Sequence, residues 1–295
     1  MLITGGHRIS SGRLSSTEVY PSISNCSPPA LPVARNAHTT FLTSDPSLTI
    51  ATCGGYDGSY LSSCLVLDLI NQRWNETMMG SLTMARHKSA AVTLNYIGVF
   101  IIGGGTTNNK RTSDFLPMGS MQWQTGPVPP VDMTHPCTVP ITPTSFLAIY
   151  GPNIREFDAA IDGPTSSRGW LEVGRWPKLE TSRYQSPGCA RVGQKIIITG
   201  GHNTGKALKS TEVLNLVNKK ITPGEDMSTA RRHLNLATIT NGGAARMFAV
   251  AGLDKAAFNL VEEWVEESSS WKPATNLNER RYHYGSVEVQ RKLLC

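Results

Sequence analysis

The sequence predicts an all-β fold: a six-bladed β-propeller with four antiparallel strands per blade, closed by a C-terminal strand that completes the N-terminal blade. Three recurrences along the 295 residues predict it. Short apolar runs stop on glycines at near-constant intervals, a large residue follows the next run by seven positions, and an apolar residue stands four positions before an arginine at the end of the unit. Repeats of about 40–50 residues with short strands and no helical periodicity are the pattern of propeller blades.

The glycine-ended runs set the period. Leu2-Ile3-Thr4 precedes Gly5-Gly6, residues 48–53 precede Gly54-Gly55, residues 99–102 precede Gly103-Gly104, and residues 196–199 precede Gly200-Gly201. Gly5, Gly54 and Gly103 are 49 residues apart, and 97 residues, close to two periods, separate Gly103 from Gly200. Residues 146–150 with Gly151 fill that gap, and residues 247–251 with Gly252 supply a sixth copy. Glycine ends such a strand where the chain turns tightly beside a neighbouring backbone and a Cβ would collide.

Within a unit, strand A follows the arginine, B ends on the glycines, C comes next and D carries the large residue. Residues 89–94 and 284–289 read as A strands; residues 16–20, 63–67, 113–116, 210–214 and 260–264 read as C strands with the half-buried alternation. Seven residues separate Leu67 from Trp74, Leu116 from Trp123, Leu214 from Ile221 and Trp264 from Trp271. In the fourth unit the step runs from Phe157 to Trp170, which predicts an insertion over residues 161–167, where Gly163-Pro164 breaks any strand. The first unit has Ser27 at this position and no tryptophan. Trp74, Trp123, Trp170 and Trp271 are expected between blades, each burying on the order of 150–250 Å². Residues 261–267 are rich in helix-favouring glutamate, yet the register demands strand C there.

The arginine mark is Leu31/Arg35, Leu82/Arg86, Leu179/Arg183, Met227/Arg231 and Leu277/Arg281, with Val128/Asp132 in the third unit. The chain starts inside a B strand and ends on an A strand, so the two fragments complete one blade, remove the free edges and make residues 1–295 one propeller domain.

Together, the diglycine, the tryptophan seven residues on and the arginine before the next strand resemble the kelch repeat over essentially the whole chain. The match is fullest around Gly54-Gly55, Trp74 and Arg86 and around Gly103-Gly104 and Trp123, and it departs at Ser27, Tyr150-Gly151, Ile221 and Ala251-Gly252. The resemblance implies a protein-interaction propeller, most often the substrate-recognition domain of BTB-BACK-kelch ubiquitin-ligase adaptors. This chain has no room for BTB or BACK domains, so a link to cullin-ligase machinery would run through a segment or partner not in this sequence. Some related propellers are enzymes, and the alternative reading is one acting on a small sugar, of epimerase, mutarotase or copper-oxidase type, with His87, His233, His283 and Asp254 at the mouth.

Antiparallel strands place the B–C and D–A loops around one mouth of the channel, and all seven histidines fall in one or other of these loops. The expected partner-binding surface is His7, Arg8, Tyr56, His87, Lys88, Tyr184, His202, Asn203, Arg232, His233, Tyr282 and His283, because arginine and tyrosine dominate interface hot spots. His38 and His135 are expected to bond backbone groups at the channel entrance. No histidine pair has a recognised metal spacing, so no metal or other cofactor is expected. The formal net charge of +6, with Arg8, Lys88, Arg231, Arg232, Arg280 and Arg281 near the mouth, points to an acidic peptide. The competing reading makes the repeat-position arginines structural ties between blades.

The remaining composition narrows the class. A charged fraction of 17% and a hydrophobic fraction of 39% belong to a folded globular chain. Dispersed basic residues without a binding module argue against nucleic acid. No apolar run nears the roughly 18 residues of a membrane span, and no signal-peptide pattern opens the chain, which makes the cytosol the default compartment. Six cysteines are too sparse for a disulfide scaffold and are expected mostly reduced, with Cys53 and Cys64 able to face each other across paired strands. The sequons Asn25-Cys26-Ser27 and Asn75-Glu76-Thr77 matter only in a secreted protein.

Overall fold

A computed structural model describes residues 1–22, 26–43, 49–241, 244–289 and 294; Asn25 of the first sequon and Leu48 of the second glycine-ended run lie outside them. Six antiparallel sheets form the six blades of a propeller. Each innermost strand lies beside the innermost strand of the next blade, all the way round the axis. Blade 2 comprises Thr39–Leu42, Ile50–Cys53, Cys64–Asp68 and Arg73–Asn75; blade 3 comprises Ala90–Leu94, Gly98–Ile102, Ser113–Pro117 and Gln124–Thr125. Blade 5 holds Gly188–Val192, Lys195–Thr199, Thr211–Asn215 and Ile221–Gly224, and blade 6 holds Asn235–Asn241, Ala244–Val250, Val261–Val265 and Ser270–Pro273. The glutamate-rich stretch is therefore strand, as its register requires.

Blade 1 closes the ring. Gly285–Val287 pairs with Leu2–Arg8, setting Leu2 opposite Val287 and Thr4 opposite Gly285, and Gly12–Val19 pairs on the other side. Among the described residues, blades 1 and 4 show three strands where four are expected. In blade 1 the outer position falls on Pro28 and Pro29, one of which at least would have to donate to a ladder and neither of which has an N–H. The Thr17 hydroxyl bonds the carbonyls of both prolines instead. In blade 4, Cys137–Pro140, Ser145–Tyr150 and Asn153–Asp158 lead into the insertion, where a single bridge joins Phe157 to Trp170 after the 3-10 turn Ser167–Gly169.

The seven-residue spacing is the width of the C–D hairpin. Leu67 pairs with Trp74, Leu214 with Ile221 and Trp264 with Trp271. That pairing aims the D-strand residue at the preceding blade: Trp123 packs edge-on against Phe41 at 5.8 Å, and the Trp74 indole donates to the Pro29 carbonyl at 2.9 Å. Trp176, outside the repeat pattern, fills the core between blades 4 and 5.

The diglycine and the arginine prove to be parts of one joint. Arg86, on the linker into blade 3, donates to the Gly103 carbonyl at 2.7 Å, while the Gly104 amide donates to the carbonyl of Met133, on the linker into blade 4. Arg183 with Gly200 and Arg281 with Gly5 repeat the first contact at 2.9 and 2.7 Å. The strand end is thus held between two successive linkers, and a Cβ on Gly103 would lie 2.3 Å from the Met133 carbonyl oxygen. Blade 6 accepts Ala251 at this position with φ 48°. Met133, not Asp132, occupies the arginine position of the third unit, a one-residue correction set by that hydrogen bond.

Disulfides correct the expectation of mostly reduced cysteines, and two of them lie wholly among the described residues. Cys53 and Cys64 face each other in register across strands B and C of blade 2. Cys137 and Cys189 join the innermost strands of blades 4 and 5, 52 residues apart. Among the described residues no helix is long and apolar enough to cross a membrane.

Candidate functional site

The B–C turns and D–A linkers meet at one mouth, as the antiparallel order requires. Backbone bridges join His7 to Tyr282, Tyr56 to Asn36, His202 to Tyr184 and Leu253 to Arg232. Just inside, the linkers form a ring around the axis. Ala37, Lys88, His135, Gln185, His233 and His283 all hold φ between 53° and 60°. Left-handed backbone is disfavoured for such residues, and here it is held by hydrogen bonds from blade to blade. The Ala37 amide donates to the His283 carbonyl at 2.6 Å, Lys88 to Ala37 at 2.8 Å, His135 to Lys88 at 2.7 Å and His233 to Gln185 at 3.0 Å.

Three of those ring positions carry imidazoles that meet at the axis. His135 Nε2 lies 3.1 Å from His283 Nε2, and the His233 ring centroid is 3.8 Å from that of His283 and 4.8 Å from that of His135. Burial pushes His283 down to about 3 and His135 and His233 well below the usual histidine range, with the neighbouring imidazoles and Lys88 acting in the same direction. Below them a cavity of about 510 Å³ runs along the innermost strands, past Thr40, Thr138 and Asn235, toward Glu288.

Most of the twelve residues expected at the mouth fall into three groups there. His7 packs on Tyr282 at 5.2 Å, and Tyr282 on His283 at 5.0 Å, joining the outer mouth to the axial imidazoles. Tyr56 and His87 belong to a second group, centred on Tyr60, whose ring stacks on His87 at 4.5 Å; Arg13 lies over Tyr56 at 5.5 Å. Tyr184 meets Tyr150 at 5.3 Å, beside the hairpin of His202–Asn203 with Lys206–Ala207. Arg232 is half-buried and donates to the Gln185 side-chain oxygen at 3.0 Å, and Arg8 is exposed beside Ser10. His87 is buried and pushed down to about 4, chiefly by that burial; burial also lowers Lys88 and His7.

Several expectations change. Arg231 and Arg281 are shut away from solvent, on Glu262 and Glu18 respectively, and cannot reach a partner. All five repeat-position arginines are buried and bond backbone carbonyls, which settles them as ties within the scaffold. His38 does bond backbone, its Nε2 accepting from the Gly285 amide at 3.2 Å, but His135 faces the other imidazoles instead.

Sequence reasoning missed Tyr60, Arg13 and the left-handed ring. Tyr60 had a signal, a second aromatic four residues after Tyr56 in the same loop; the ring had little, since its three histidines share the equivalent positions with alanine, lysine and glutamine. Also unforeseen were the acids of strand C, Glu18, Asp114, Glu212 and Glu262, each an ion-pair partner of the buried arginine of its own blade. Comparison of the chain with protein-family profiles and with curated proteins finds no match.

Proposed function

We propose that this propeller is a protein-interaction module that takes an acidic peptide segment across the mouth formed by the B–C and D–A loops. The observation that carries the reading is the composition of that mouth. Tyr60, Tyr184, Arg8, Arg13 and Arg280 are exposed there or on the adjoining turns, around half-buried Tyr56, Lys88, Arg232 and Tyr282. Exposed aromatics and cations arranged around a rigid rim suit extended, carboxylate-bearing chains. Binding of aspartate- and glutamate-rich peptides to the wild type and to Arg232→Glu, at two salt concentrations, tests it. The variant should bind at least tenfold more weakly and the wild type should lose affinity with salt; unchanged affinity without a salt slope overturns the reading.

The finer reading, a substrate adaptor of a cytosolic ubiquitin ligase, rests on the kelch resemblance. Disulfides such as Cys53–Cys64 and Cys137–Cys189 weigh against it, because such bonds persist in oxidising compartments and are rare in the cytosol. In an oxidising compartment Asn75-Glu76-Thr77, which forms a solvent-facing turn with the Asn75 side chain accepting from Thr77, becomes an available glycan acceptor. The second reading, an enzyme acting on a small sugar, draws support from the cavity of about 510 Å³, which is of ligand size and hydroxyl-lined. Turnover of simple sugars by the purified protein would favour it.

A further inference from the structure

We infer that His135, His233 and His283 form a binding site for one divalent transition-metal ion of the zinc class, on the axis of the propeller. Their candidate ligand atoms all lie within 4.8 Å of one another. The closest pair, His135 Nε2 and His283 Nε2, is 3.1 Å apart. Two nitrogens bound tetrahedrally at about 2.0–2.1 Å would be separated by about 3.3 Å, so that edge is already at coordination length. Small side-chain rotations bring in His233.

The surroundings distinguish this cluster from a chance meeting of histidines. His135 and His233 are 7% and 8% exposed, and the buried Nδ1 of His233 has no hydrogen-bond partner. An imidazole nitrogen left so costs free energy that a metal bond to it would recover. The three side chains come from linkers of three different blades, and inter-blade hydrogen bonds from the His135 and His233 amides and to the His283 carbonyl tie their backbones in place. Neutral imidazoles are the form that ligates, and their seclusion from water keeps them neutral.

Three protein nitrogens leave the fourth position of a tetrahedral ion open, and the cavity adjoins it. The cationic groups near the cluster are Lys88, in the same ring, and Arg232. Their field opposes a bare dication, so the open position should take an anion or hydroxide. The ion class follows from the donors: three imidazoles suit zinc, copper, cobalt or nickel and not calcium or magnesium. Spacings of 98 and 50 residues hide the set in the sequence, because the ligands are equivalent positions of different repeats.

The test uses tag-free full-length protein freed of metal with a chelator and titrated with Zn²⁺, and with Co²⁺ read by its visible absorption. One equivalent should bind, Co²⁺ should give the intense bands of a four-coordinate site, and Zn²⁺ should raise the melting temperature. His135→Ala and His233→Ala should each weaken binding more than tenfold, and Lys88→Ala should tighten it. The inference is overturned if the wild type takes up neither ion at micromolar concentration. It is equally overturned if both histidine variants, folded by circular dichroism, bind as the wild type does.

Discussion

Asp114 and Arg86 have no solvent exposure and pair at 2.6 Å, with the Thr83 amide also donating to Asp114 at 2.8 Å. Removing one member of such a pair leaves an uncompensated buried charge. Asp114→Ala should therefore cost about 3–5 kcal/mol in denaturant unfolding. Blade 4 shows how the sequence avoids that cost: both members of the pair are replaced, with Met133 in the arginine's place and Arg155, opposite Ala148, in the acid's. His38 makes a pH prediction. Burial pushes it down to about 3, and Arg35 acts in the same direction, whereas the unfolded chain takes up the proton near 6.5. The unfolded state then binds more protons between those values, so stability is full above about pH 6.5 and falls as the pH drops. In His38→Gln the stability slope between pH 6 and pH 4 should be shallower than in the wild type by about 1.4 kcal/mol per pH unit. An unchanged slope would mean that His38 charges in place.

At the scale of the element, the D strand stabilises the fold across a blade boundary more than within its own sheet. In blade 3 it is only Gln124–Thr125, yet the adjoining Trp123 sits in a core with Phe41, Ala51 and Val66 of blade 2. Trp123→Ala should cost about 3–5 kcal/mol, measured by equilibrium unfolding. Trp271, only partly buried beside Trp264, should cost less when truncated. The seven-residue spacing made these tryptophans recognisable, because a short hairpin fixes which residues face each other. Among the described residues blades 1 and 4 show no outer strand for local reasons, Pro28-Pro29 and an insertion, both visible as sequence features although their effect on pairing was not drawn from them.

The whole molecule is a ring, and its stability depends on connections between distant parts of the chain. Cys137–Cys189 closes 52 residues and Cys53–Cys64 closes 11. In the chain-entropy account these loops correspond to about 4 and about 3 kcal/mol respectively. Cys137→Ser/Cys189→Ser should therefore lower unfolding stability more than Cys53→Ser/Cys64→Ser does. The reverse order would show that the blade 4–blade 5 joint needs no staple. Glycosylation aside, these bonds bear on where the protein works, which the sequence pattern leads us to expect in the cytosol.

Blade number, strand order and the facing of B–C and D–A loops at one mouth were determined by the sequence itself, because a repeated local pattern of strand, turn and tryptophan recurs at a near-constant period and allows one architecture. The joint between Gly103, Arg86 and Met133 was half legible: glycine and arginine were marked, their contact was not. The tertiary structure alone decided which cationic groups remain at the surface, burying Arg231 and Arg281 while leaving Arg232 half-open. It alone brought His135, His233 and His283 to the axis. Closing a ring sets equivalent residues of separate repeats against one another across the channel, and no spacing along the chain encodes that distance.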